Sequence, residues 1–335
     1  MKQFVAEASF GAMPNNLRVT ETLNPQHSSS GFLTDVMKGL AATPKQLPPK
    51  HFYDRHGSEL FDAICRLPEY YPTRTEMGLL HAHAADIARL AGPAAHVIEF
   101  GSGATIKVQI LLNALDMPAS YVGVDISRDY LIQAAQALAY EYPHMPVVAV
   151  CADFTRKFRM PTLPGRGPRL GFFPGSTIGN LLPEEAGQFL RHAAEVLGRG
   201  GAMVVGVDLQ KDPEILNAAY NDAQGITAAF NLNLLRRINA ELGGTFDLRQ
   251  FAHDAFCNHA AGRIEMHLRS LVDQEVRVRE RAFAFKAGET IHTENSHKYT
   301  VAQFQELARE AGFRPLRAWV DTEHLFSVHY LTVPR

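Results

Sequence analysis

Between Thr75 and Asp208 the chain alternates apolar runs of strand length with amphipathic stretches of helical length. The apolar runs fall at Val97–Phe100, Tyr121–Asp125, Val147–Ala152, Leu170–Pro174 and Met203–Asp208. The stretches between them, including Ile106–Leu115, Arg128–Tyr142 and Pro183–Leu197, are long enough for the right-handed crossovers that parallel strands require. This pattern predicts an α/β fold, a Rossmann-like parallel sheet covered by helices on both faces.

The flanking text reads differently. Residues 1–30 are mixed in character, end in His27-Ser28-Ser29-Ser30, and suit a loosely held arm. Residues 31–74 are helix-like, broken at Leu47-Pro48-Pro49, and run into an aromatic-rich segment. After Asp208 the alternation stops. Pro213–Leu242 predicts one or two helices ending at Gly243-Gly244, and residues 263–285 alternate in strand fashion, so 211–298 reads as an α+β insertion. A helix at Val301–Ala311 and strands at Leu316–Val320 and Phe326–Val333 then close the sheet edge. The expected organisation is an arm (1–30), a substrate-binding unit (31–74 plus 211–298) and a cofactor-binding unit (75–210 plus 299–335).

Length and charge narrow the function. With 335 residues, 46% hydrophobic, and a formal charge of −2, the chain can bury a large core and exerts no overall pull on nucleic acid or anionic lipid. A small molecule is the expected partner. Cys65, Cys151 and Cys257 are widely spaced and odd in number, which suggests neither a disulfide framework nor a zinc knuckle. The first twenty residues lack the apolar core of a signal peptide, and no apolar run approaches the roughly 20 residues of a membrane span. A cytoplasmic monomer is expected. His81 and His83 diverge on their predicted helix, so no metal is expected there.

VIEFGSGATIK (97–107) places Glu99, Gly101 and Gly103 at a strand-to-helix turn, where glycine lets the backbone approach a ligand. A full GxGxxG would need glycine where Ile106 stands, so the pyrophosphate-binding fingerprint is incomplete. Asp125 ends the next strand, at the distance where an acidic residue takes ribose hydroxyls. Asp153-Phe154 ends the third, where a carboxylate and an aromatic suit an adenine. Three such features at the carboxyl ends of successive strands point to an adenosine cofactor without pyrophosphate. Glu99 reads equally as a cofactor contact or a buried helper of the turn.

The motifs LPEYYPTRTE (67–76), EFGSG (99–103), CADF (151–154), PGSTIGN (174–180), DAQGITAAFN (222–231), RIEM (263–266) and TENSHKY (293–299) resemble those of the histidine Nα-methyltransferases of ergothioneine biosynthesis, a branch of the class I S-adenosylmethionine enzymes. The resemblance runs over nearly the whole chain after about residue 30. It implies a class I methyltransferase core, S-adenosylmethionine as methyl donor, and the α-amine of L-histidine as acceptor, methylated up to three times to the betaine. Residue by residue, it puts Gly101 and Gly103 against the cofactor, Lys107 near its methionine carboxylate, Asp125 on the ribose, and Asp153 with Phe154 at the adenine. Tyr70, Asn180 and Tyr220 would hold the acceptor's carboxylate and amine, Asn180 and Tyr220 beside the reacting nitrogen. Glu294 and Ser296 would hold the imidazole, with Asn295 in the same segment and Tyr53 and Met266 as further pocket members. His51, where tryptophan is common, the Ala104-Thr105-Ile106 turn, and Asn295 and His297 within the imidazole-binding segment depart from the family pattern and bear on fine acceptor specificity.

The chemistry of the acceptor fits this division. A carboxylate suits an imidazole N–H and a hydroxyl can donate or accept, so Glu294 and Ser296 together address both ring nitrogens. Their i, i+2 spacing puts both on one face of an extended segment. The amine must be neutral to attack, and Tyr220, a water, or no dedicated base remain open. From pattern alone Tyr71 reads as packing beside Pro72, and Met266 as core. Two other functions stay in view: Nα-methylation of a tryptophan- or tyrosine-related acceptor, and a non-catalytic cofactor-binding protein.

Overall fold

Every side chain of His96–Phe100 is buried, and so is every one of Ala202–Asp208, as central strands of a sheet covered on both faces demand. The computed structural model describes residues 14–21, 29–103 and 105–335. Its N-terminal part holds β1 (Leu17–Glu21), α1 (Ser29–Ala41), a short β2 (Lys45–Gln46), α2 (Arg55–Ile64) and α3 (Tyr71–Ala91). The alternating stretch follows: β3 (His96–Phe100), α4 (Ile106–Ala114), β4 (Ser120–Asp125), α5 (Arg128–Glu141), β5 (Val147–Cys151), β6 (Arg169–Phe173), α6 (Pro183–Leu197) and β7 (Ala202–Asp208). Next come α7 (Pro213–Tyr220), α8 (Ile226–Leu242), β8 (Phe251–Asn258), β9 (Arg263–Ser270), β10 (Gln274–Val278), β11 (Arg281–Phe285) and β12 (Thr290–His297). The described chain closes with α9 (Val301–Glu310), β13 (Arg314–Val320) and β14 (Phe326–Thr332).

The main sheet has the order β1-β5-β4-β3-β6-β7-β14-β13. Its core strands are parallel, and β14 and β13 close one edge antiparallel. The order reverses at β3, so the crevice outside the carboxyl ends of β3 and β6 is where such sheets bind ligands. All five expected core strands and the closing hairpin are present. One strand was not expected: Leu17–Glu21, inside the supposed loose arm, pairs in parallel with β5 from Leu17–Val147 to Glu21–Cys151. Asn16 ties its start down through three hydrogen bonds to the carbonyls of Ala139, Tyr142 and Met145. The rest of the arm, residues 1–13 and 22–28, lies outside the described residues, as does Ala104 of the glycine turn.

Side chains alternate between two hydrophobic layers: Val97, Tyr121 and Val147 face α3, α4 and α5, while Ile98, Val122 and Val148 face the side covered by α6 and α9. A third cluster joins Phe32–Tyr71 to Leu216–Ile291. There a second sheet, β2-β12-β9-β8, packs against α7 and α8. Asp54 caps α2 by accepting from the Gly57 amide, and Asn233 of α8 donates to the same oxygen. The N-terminal segment and the insertion thereby share one core.

The pairing of β12 with β9 slips between His292 and Glu294, leaving Thr293 as an extra residue. Such a bulge re-aims everything beyond it. His292 sits opposite His267, whereas Glu294 sits opposite Met266. Without the slip, His292 and Glu294 would share a face.

Candidate active site

At the carboxyl end of β3 the chain turns through Gly101, whose φ of 75° favours glycine and whose missing Cβ would lie 3.5 Å from the Phe154 ring. Phe154 is held edge-on against Phe173 and Phe189. A side chain at Gly103 would meet nothing within 4 Å, so this turn leaves open space beside an aromatic ring. Asp125, at the end of β4, accepts from the Ser127 amide at 2.7 Å, and burial pushes its carboxyl up to about 6. Asp153 accepts from the Thr155 amide and hydroxyl. An open glycine turn with an aromatic ring against it and a carboxylate at the end of the neighbouring strand fit an adenosine group.

Two residues of this region are bound to protein partners. Glu99 is buried, receives the Tyr121 hydroxyl, and is pushed up to about 8 by burial. That geometry fits a buried helper of the turn. Lys107 pairs with buried Glu76 at 2.5 Å, and Glu76 also accepts from the Gly175 amide. Its ammonium stays beside the turn but is already partnered. Glu76, not singled out from sequence, therefore joins α3, α4 and the loop after β6.

A cavity opens next to these strand ends. Tyr53, Tyr70, Asn180, Tyr220, Met266, Glu294 and Ser296 all line it, brought together from five separate parts of the chain. Asn295 does not: it lies on the opposite face of β12, across from Glu265, because neighbouring residues of a strand point to opposite sides. Ser127 links the two regions, since its amide donates to Asp125 and its hydroxyl to the Tyr53 carbonyl.

Each polar group of the cavity is positioned by its surroundings. Tyr220 ends α7, and the following turn is anchored by Asp222, which accepts from the Ile226 and Thr227 amides, and by His253, which bonds the Tyr220 carbonyl. The Tyr220 hydroxyl lies 2.8 Å from Ser296 Oγ. Asn180 sits on a short helical turn, Thr177–Asn180, that packs directly on β12. Burial pushes Glu294 up to about 7, opposed by the Lys298 ammonium. Burial likewise holds the Tyr53, Tyr70 and Tyr220 phenols above their ordinary range, so all three remain hydroxyls at neutral pH.

Sequence reasoning missed the floor of the cavity. Asp208, at the end of β7, accepts from Tyr71 and pairs with both Lys211 and Lys298. Tyr71 is therefore more than packing beside Pro72. Lys298 continues the alternation Glu294, Ser296, Lys298, and Asp208 ends a core strand as Asp125 does. Those two signals could have found them. On the outer face of β9 and β12, Glu265, His267 and His292 come within ligand distance of one another, but Arg263 already occupies Glu265 at 2.8 Å. His83 stacks on Trp319. Among the described residues no helix is long and apolar enough to cross a membrane.

Comparison with known proteins identifies the family. The sequence profile of the family described as "Histidine-specific methyltransferase, SAM-dependent" matches residues 32–333. The chain is 42% identical over 310 residues to a histidine N-alpha-methyltransferase of Mycolicibacterium smegmatis, covering 91% of this chain and 96% of the relative. It is 44% identical over 292 residues to the protein of that name from Mycobacterium tuberculosis, covering 86% and 90%. A 4-dimethylallyltryptophan N-methyltransferase of Claviceps purpurea is more distant, 28% identical over 213 residues, covering 59% and 61%. The chain belongs to the family of histidine-specific, S-adenosylmethionine-dependent methyltransferases and carries its class I α/β fold.

Proposed function

We propose that this enzyme transfers methyl groups from S-adenosylmethionine to the α-amine of L-histidine, three times in succession, giving the trimethylated betaine hercynine for ergothioneine biosynthesis. The observation that carries this reading is the cavity: a carboxylate and a hydroxyl on one face of β12 line it together with Tyr70, Tyr220 and Asn180, and Ser127 ties its Tyr53 wall to Asp125. A zwitterion with an imidazole needs polar partners at both ends and a shaped wall between, which Tyr53, Phe230 and Met266 supply.

In this reading Gly101, Gly103, Asp125, Asp153 and Phe154 hold the nucleoside part of the donor, with Lys107 beside its methionine part. The sulfonium supplies an activated methyl group with a neutral leaving group. Acid catalysis of departure is therefore unnecessary, and positioning of the amine carries most of the rate. Tyr70, Asn180 and Tyr220 orient the amine and carboxylate, while Glu294 and Ser296 hold the imidazole. The third cluster supports a division in which 31–74 plus 211–298 bind the acceptor and 75–210 plus 299–335 the donor. A cytoplasmic setting and a monomeric state go with this proposal, the latter checked by light scattering.

The test is direct. The pure protein is incubated with S-adenosylmethionine and each of the twenty amino acids, and products are weighed. Histidine should gain one, two and three methyl groups. Methylation of another amino acid with histidine untouched would overturn the acceptor, and no methylation at all would overturn the reading.

A further inference from the structure

Two lysines share one buried carboxylate beneath the cavity. Asp208 is 1% exposed, with Lys298 Nζ 2.6 Å from Oδ2 and Lys211 Nζ 2.5 Å from Oδ1, their side chains 2% and 5% exposed. One carboxylate against two ammoniums leaves a positive charge uncompensated where little water can screen it. Lys298 also lies 2.8 Å from Ser296 Oγ and 3.2 Å from the Tyr220 hydroxyl. Its three protons are thus committed to Asp208, Ser296 and Tyr220, and both hydroxyls line the cavity as acceptors toward it.

The charges around it offset only part of this excess. On α3 and α7 the groups facing Lys298 and its partner are the phenols Tyr71 and Tyr220, and on β8 the thiol of Cys257. On β12 the facing acid is Glu294, which burial pushes up to about 7, so that it carries only part of a negative charge at neutral pH. Burial lowers Lys211 to about 8, still charged at pH 7, and the Asp321 carboxyl beyond β13 opposes that shift and offsets part of the Lys211 charge, leaving Lys298 with Asp208 nearest the cavity. Burial works against the charge of Lys298 too, but the Asp208 carboxylate outweighs it and holds that ammonium above its ordinary range.

We propose that Lys298 is a positioning residue that delivers the acceptor amine as a free base, its charge disfavouring an ammonium in the cavity while its N–H groups hold Tyr220 and Ser296 in place. The inference rests on the amine-methylation reading above and deepens it. The α-amino group of a peptide titrates near 8 and a free amino acid's own carboxylate raises it further, so at neutral pH nearly all acceptor arrives protonated and without a lone pair. A like charge a few ångströms away lowers that value, and Lys298 supplies it without needing a base to take the proton in the cavity; the proton leaves to solvent before the acceptor is enclosed.

The experiment follows kcat at saturating histidine, which reports ionisations within the complex, against pH in the wild type, Lys298→Gln and Lys298→Arg. The glutamine keeps a donor and loses the charge. Its acid limb should move up by about one to two pH units, with activity recovering near pH 9, while the arginine variant keeps the wild-type limb. Repeating the comparison in a Glu294→Gln background removes that carboxyl from the titration. Affinity for S-adenosylhomocysteine, measured by calorimetry, should be unchanged and reports folding. If Lys298→Gln does not fold, Lys211→Met removes the same excess charge and should shift the limb in the same direction. An active wild type with an unmoved limb in the folded variants overturns this inference alone. A wild type that methylates no histidine at any pH overturns the function reading instead.

Discussion

A Cβ on Gly179 would stand 2.6 Å from the carbonyl oxygen of His297, and the ring nitrogen Nδ1 of His297 lies 3.0 Å from the carbonyl oxygen of Gly179. This close approach seats the turn carrying Asn180 on the strand carrying Glu294 and Ser296. Gly179→Ala must push the two backbones apart, because the obstructing atom is main chain and no rotamer relieves it. The expected cost is about 1–3 kcal/mol of stability, read by denaturant unfolding. Because Asn180 moves with the turn, KM for the amino acid should rise while affinity for S-adenosylhomocysteine holds. Wild-type stability and KM in the variant would show that the turn and β12 are not seated as described.

Asp125 is expected to hold the donor. Asp125→Ala should weaken S-adenosylmethionine binding by about 1–3 kcal/mol, since hydrogen bonds to a charged group are lost. Wild-type affinity should also fall as the pH drops through about 6, where the carboxyl takes up a proton, and the variant should lack that dependence. Calorimetry checks both. Unchanged affinity in Asp125→Ala would remove the residue from the donor site.

Glu99 gives a stability test whose sign follows from linkage. Its carboxyl titrates at about 8 in the fold, raised by burial from 4.5, so folding takes up a proton between those values. Stability from this group is fully present below pH 4.5 and is lost as the pH rises toward 8, by at most about 1.4 kcal/mol per unit. Glu99→Gln stays neutral and should escape the loss. The difference between variant and wild type should grow in the variant's favour from pH 4.5 to 8 and then level off. Denaturant midpoints across this range check it, and parallel curves would mean that Glu99 is ionised in the native state. Unimpaired donor binding by the variant would also assign Glu99 to the support of the turn.

What was legible in the sequence follows from burial. The core strands of the main sheet are covered on both faces and so appear as apolar runs between turns. β8 and β12 do not: FAHDAFCN has a mixed burial pattern, and TIHTENSH is polar although most of it is buried. In β12 the inward positions carry Glu294 and Ser296, polar groups kept for the cavity, which erases the apolar signal of a strand. The i, i+2 spacing foretold that these two share a face. It could not say which face, because that depends on the extra residue at Thr293. Asn295 was included for its place in the motif and falls on the other side for the same geometric reason. Lys298 and Asp208 went unnoticed because each gains meaning from the other, 2.6 Å apart in space and ninety residues apart in the chain.

The Glu294 carboxylate tests the acceptor most sharply. It stands opposite Met266 on the inward face of β12, is almost fully enclosed, and has no protein hydrogen-bond donor assigned to its side chain among the described residues. A buried acid in that state needs a partner, and in the proposed function the imidazole N–H is that partner. Glu294→Ala should then cost roughly 2–4 kcal/mol of transition-state stabilisation for histidine, a charge-assisted bond in a desolvated site. An analogue whose ring cannot donate never makes this bond, so the variant should handle it about as well as the wild type does. Donor affinity should barely move, since Asp125 and the glycine turn lie on other elements. Measuring kcat/KM for both acceptors in both proteins decides the matter. An equal loss for the two acceptors would show that Glu294 supports the cavity or the amine end, and selectivity for histidine would then have to come from Ser296 and the aromatic wall.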